Sequence, residues 1–328
     1  MPPKTAWEWM EYYGPAHTDP AKIHGEWHGA QAEVERYLYT VITSEAMEQE
    51  LIDTKPMALT AVPATLLGEG WAALENLRRR AKGMPHLCPH LDFGTTGADQ
   101  AMWENLVLTG SLNTGDDDDT IAPPSYQRRP EWLNLLKKAA KGPDKYYWKT
   151  HYMLACAYMA NGEIEDAEEA LDASCSCHVN AWNTYARAEL FRIQGNMQAA
   201  SQTILSAANM AKDDKSLCKM TARMLASAGW WQVLRNFTEG LSDEQKALPR
   251  IRFYRALAAE KLGLLDEAAE ILYADGGLEI PDIQEGEISI TNLWFDLEEK
   301  RAKRDGKPFD RATAKPPMIF DFRMFVSD

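Results

Sequence analysis

Between residues 144 and 276 apolar and polar positions alternate with a helical period. In YMLACAYMANGEIEDAEEALDA apolar side chains recur at i, i+3, i+4 and i+7, which predicts an amphipathic helix, a tight turn and a second amphipathic helix. The unit then repeats. Gly162, Gly195, Gly229 and Gly263 stand 33, 34 and 34 residues apart, and seven residues before each lies an alanine, in order Ala155, Ala188, Ala222 and Ala256. Five residues after each glycine come Ala167, Ala200, Leu234 and Ala268. Glycine just past a helix takes the left-handed conformation that caps it, and small residues at the other two marks let paired helices approach closely. Leu234 breaks the third mark, so GWWQVLRNF predicts a distorted or wider hairpin.

The flanks carry weaker patterns. Thr18-Asp19-Pro20 reads as a helix cap, and KIHGEWHGAQAEVERYLYTVI predicts one buried stripe at Ile23, Trp27, Ala30, Val34, Leu38 and Val41. A second helix is expected from Ser44 towards Ile52, a third through GWAALENLRRRA, a fourth through DQAMWENLVLTG and a fifth from Pro130. SLNTGDDDDTIAPPS is the most loop-like stretch. Gly142-Pro143 marks a boundary, so the expected division is an N-terminal helical segment over 1–143, four hairpins over 144–276 and a capping helix with an apolar tail over 277–328. Thr291 is the expected cap of the last helix, which runs to Arg304. Trp7, Trp9, Tyr12 and Tyr13 at one end, and KPPMIFDFRMFVSD at the other, need covering by this chain or by another.

The quoted glycines and alanines resemble the tetratricopeptide repeat, whose period is 34 residues. The resemblance implies an all-α fold, a right-handed α-solenoid of helical hairpins with an additional N-terminal helical segment, and a concave face used to bind other proteins. Counting from the alanine marks places Lys149, Tyr152 and Cys156; Trp182, Tyr185 and Glu189; Ser216, Lys219 and Arg223; and Arg250, Phe253 and Leu257 on that face. Aromatic and basic groups alternate along it. Such a groove suits an acidic peptide segment, a terminal carboxylate, or sugar rings stacked on Tyr and Trp. The competing reading for Trp182 and Tyr185 is packing between repeats, whereas Lys219 and Arg223, one turn apart, are harder to bury.

A wider resemblance rests on HGEWHGAQAEVE, LLGEGWAALENLRRR, LDFGTTG, MWENLVLTGSL, YYWKTHYMLACAYMANG, DIQEGEISITNLWF and FDFRMF. In this order they look like the C-terminal half of large bacterial proteins in which a galactose-mutarotase-like β-sandwich precedes tetratricopeptide repeats. The sandwich is missing from this sequence, in which no segment alternates with period two over successive strands. The resemblance implies a non-catalytic scaffold, the helical subunit of a complex with a β-sandwich carbohydrate-active subunit. A repeat scaffold that no longer needs one is also open, as is a homo-oligomer. The alternative function is part of a glycoside-processing centre, with acids such as Glu26 or Asp92 supplied by this chain.

Composition narrows the partners. A net charge of −14, from 35 Lys plus Arg against 49 Asp plus Glu, repels both a phosphate backbone and anionic lipid. There is no apolar run of membrane-spanning length and no secretory leader in MPPKTAWEWMEYYG, and five scattered cysteines give no disulfide framework, so a reducing cytoplasm is expected.

No cofactor or metal is expected. His24 and His28 have the spacing of a zinc helix, but Gly25 stands where the catalytic glutamate belongs. His86, Cys88 and His90 alternate in a proline-bearing loop, and Cys175, Cys177 and His178 end a repeat helix; a packed loop and buried thiols are the readings taken. The run Asp116 to Asp119 lacks the glycine and distal glutamate of a calcium loop and is read as solvated and mobile.

Overall fold

Each of the four marker glycines ends a helix in the left-handed conformation, with φ of 78°, 80°, 71° and 78° for Gly162, Gly195, Gly229 and Gly263. The residue after each donates its amide to the carbonyl five residues back: Glu163 to Tyr158, Asn196 to Phe191, Trp230 to Leu225 and Leu264 to Ala259, at 2.8–3.1 Å. This is the Schellman closure, which satisfies carbonyls the helix end leaves unpaired. All eight neighbouring marks are fully buried, Leu234 among them.

The computed structural model describes residues 7–61, 65, 68–115 and 118–324. Among these residues the chain is helical, with no strand. It divides into two compact units, Met1–Gln100 and Ala101–Asp328.

The first unit holds α1 (Pro20–Ile23), α2 (Trp27–Val41), α3 (Ser44–Ala58) and α4 (Trp71–Ala81). Asp19 caps α1, accepting from the Ala21 amide at 2.9 Å, but the expected single helix breaks at His24-Gly25-Glu26, and Glu26 caps α2 through the Gly29 amide. The expected buried stripe is not buried: Trp27, Leu38 and Val41 are 70%, 50% and 65% exposed. The reason is a lack of neighbours, since α2 packs closely on α1 alone and Glu33 is the one buried residue of α1–α3. His24, His28, His86 and Cys88 are also exposed.

The second unit begins with α5 (Ala101–Thr109) and α6 (Pro130–Lys141), both upstream of the boundary expected at residue 143. They belong to it because Trp103 and Trp132 meet edge to face at 5.8 Å and Asp144 is a buried hub. The Asp144 carboxylate accepts from the Leu112 amide at 2.6 Å, from the Thr150 hydroxyl at 2.8 Å and from the Ser111 hydroxyl. Gly142-Pro143 is therefore a break in the helix and lies inside the unit.

Adjacent helices then pack in pairs: α7 (Trp148–Asn161) with α8 (Ile164–Cys177), α9 (Ala181–Ile193) with α10 (Met197–Met210), and α11 (Lys215–Ser227) with α12 (Trp231–Glu239). The short α13 (Asp243–Lys246) leads to the pair α14 (Pro249–Lys261) and α15 (Leu265–Tyr273). Buried polar groups connect the first pairs: Ser174 donates to the Trp148 carbonyl at 2.9 Å and accepts from the Asn183 amide at 3.2 Å. The last helix, α16 (Ser289–Arg304), packs on α14 and α15. Thr291 lies inside it and does not cap it. The apolar tail docks on this unit's own core, with Phe320 buried and Ile319 and Phe322 packed beside it; Phe325 lies outside the described residues.

Candidate protein-binding face

The helices that open each pair, α7, α9, α11 and α14, bring part of the expected row together. On α7, Tyr152 is half-buried, with its ring 6.0 Å from that of Trp148 and its hydroxyl in hydrogen-bond contact with Cys156 one turn on. Burial pushes the Cys156 thiol up to about 12, so it stays protonated. On α9, the half-buried Tyr185 donates to Glu189 at 3.2 Å, and Glu189 accepts from Arg192 at 2.6 Å. Burial first, and the Glu189 charge second, raise the Tyr185 hydroxyl above its ordinary value, while the positive charge of Arg223 opposes them.

Arg223 on α11 also acts on Tyr254 of α14, where it opposes the upward push of burial. One guanidinium thus lies within electrostatic reach of hydroxyls on the preceding and following pairs. Arg223 is exposed and Lys219, one turn earlier, is half-buried; neither forms an ion pair among the described residues. Two adjacent cations outside any ion pair, with Arg223 acting on tyrosines that Glu189, Asp282 and Glu287 also act on, suit a carboxylate.

Other expected members are occupied elsewhere. Trp182 is 5% exposed, and its indole nitrogen donates to the Asp119 carbonyl at 2.8 Å, so it is a packing residue beneath the preceding loop. That loop is tethered as well by the contact of His178 Nε2 with Asp119 Oδ2 at 2.5 Å and by Trp103 donating to Ser125 at 2.9 Å, while Asp118, Thr120 and Ile121 are exposed; Asp116 and Asp117 lie outside the described residues. Phe253 is 5% exposed and belongs to the core, while the neighbouring Tyr254 is half-buried and was missed. The available signal was the residue pair itself, since a tyrosine carries a polar tip that favours the outer position over phenylalanine. Arg250 is engaged by Asp282 at 2.9 Å and by Glu287 at 2.6 Å, which hold its guanidinium proton more tightly. Cys175 and Cys177 are half-buried, where buried thiols were expected.

Among the described residues no three His, Cys, Asp or Glu side chains converge as a metal site, and no helix is long and apolar enough to cross a membrane. Compared with known proteins, the chain matches no family model, no curated protein and no solved structure.

Proposed function

We propose that the second unit is a tetratricopeptide-like, right-handed α-solenoid and that its first-helix face binds an acidic segment of a protein partner. The observation that carries this reading is the pair Lys219 and Arg223 on α11, outside any ion pair among the described residues, with Arg223 in electrostatic reach of Tyr185 and Tyr254 on the neighbouring pairs. Arginine beside tyrosine gives a carboxylate two-pronged hydrogen bonding and an apolar edge to rest on. Tyr152 on α7 extends the row beyond Glu189 of α9, whose carboxylate Tyr185 and Arg192 hold in place.

The partner we favour is a β-sandwich subunit of the carbohydrate-active kind, this chain being the non-catalytic helical subunit in the cytoplasm. The wider sequence resemblance supports it, and so does the exposed apolar surface of the first unit, where Trp7, Trp9, Tyr13 and Trp27 are 64–89% exposed. The test is co-purification from the native extract with wild type and with Lys219→Glu/Arg223→Glu. A stoichiometric companion held by the wild type and released by the double variant supports the reading; a wild-type chain that elutes alone refutes it.

A further inference from the structure

Away from the first-helix face, a cleft of about 440 Å³ opens between the end of α10 and α12. It arises where the third pair is short, α12 having 9 residues where α8 and α10 have 14. The chain leaves α12 at Gly240, so the last turns of α10 receive no full-length neighbour. Leu205 and Ala208 of α10 line the opening together with Val233 and Phe237 of α12. Cys218, 4% exposed on α11, also lines it. The volume lies within the roughly 300–1,000 Å³ of small-ligand sites.

The polar groups at the rim select the ligand. Gln245 is spent, donating to the Lys212 carbonyl at 2.6 Å and accepting from Ser242. Asn236 Oδ1 already accepts from Gln232 at 2.9 Å, which leaves its amide N–H groups as donors. No acidic residue lines the cleft, and its one charged lining residue, Lys212, is exposed and makes no ion pair among the described residues. An apolar interior with a lone cation and amide donors at its edge accepts a molecule with a hydrocarbon body and a single negative head.

We propose that this cleft is a binding site for a small amphipathic carboxylate, its apolar body against Leu205, Val233 and Phe237 and its carboxylate at Lys212. The site is independent of the first-helix face and of the partner bound there.

Isothermal titration of the full chain with decanoate and with decan-1-ol tests it. Decanoate is expected to bind at one site. Lys212→Met is expected to weaken decanoate roughly fivefold, the contribution of one exposed ion pair, while leaving decan-1-ol unchanged. Val233→Trp, which fills the interior, is expected to abolish both while melting as cooperatively as the wild type; should it not fold, Ala211→Phe on the same cleft takes its place. Alkylation at Cys218, followed by peptide mass mapping, is expected to slow when decanoate saturates the chain. Absence of decanoate binding, binding that survives the filling variant, or a Cys218 rate indifferent to decanoate overturns the site. Equal loss of acid and alcohol in Lys212→Met overturns the carboxylate assignment.

Discussion

Thr291 on the first turn of α16 donates its hydroxyl to the carbonyl of Phe320, 2.5 Å away, and accepts the Phe322 amide at 3.1 Å. One side chain thus fixes both sides of the buried Phe320, whose ring lies 5.9 Å from that of Tyr273. Thr291→Val keeps the shape and leaves a buried carbonyl and an amide unpaired. It is expected to cost about 2 kcal/mol in urea unfolding, with the slope unchanged.

The hairpin marks make separable predictions. A Cβ at Gly195 meets no atom within 4 Å, so Gly195→Ala costs only the left-handed backbone, about 1 kcal/mol. Ala200→Leu, at a position with no exposure, overpacks the interface and costs about 1–3 kcal/mol, while Leu234→Ala leaves a void and costs about 2–5 kcal/mol. Thermal unfolding of the three variants is expected to rank Gly195→Ala as the mildest.

Glu260 is fully buried at the meeting of α14 and α16, with Lys300 at 2.5 Å and Lys261 at 3.0 Å. Each lysine shields it partly. Replacing both by methionine strands a buried carboxylate and is expected to destabilise the unit by about 3–5 kcal/mol, more than the two single changes added together. A double-mutant cycle in denaturant measures the excess.

The first unit carries a strongly depressed carboxylate of its own. Hydrogen bonds from Arg36, and then from Lys22, hold the Glu33 carboxyl down to about 2. A carboxylate depressed in the folded state contributes stability that is complete above its unfolded value, near 4.3, and lost as pH falls towards the folded value. The Glu33 carboxyl resonance is therefore expected to titrate near pH 2, with α1 and α2 amide signals losing dispersion between about pH 4 and 2. In Arg36→Met the midpoint moves up towards the ordinary carboxylate value.

The helical pairs were legible because a capping glycine and a close alanine contact are local demands that leave marks at fixed offsets. Leu234 was legible as an anomaly, although the cleft beside it was not, since a void leaves no residue behind. The α2 stripe misled for a different reason. Periodicity tells which side of a helix is apolar but not whether the chain supplies a cover, and Trp27 and Leu38 have none. On the binding face, a count from Ala256 selected Phe253 over Tyr254, because α14 presents its outer tyrosine one position later than α7 and α9 do. Arg250 was expected as a cation open to a partner, but Asp282 and Glu287, 32 and 37 residues further on and joined to it only by the fold, already engage it.

The most direct test of the binding face is the affinity of an acidic peptide that carries a free C-terminal carboxylate, measured by fluorescence anisotropy against the wild type and Lys219→Glu/Arg223→Glu. Binding that weakens at least tenfold in the double variant, or about 1.4 kcal/mol, with melting unchanged, is the predicted result. Equal binding by the two proteins contradicts it.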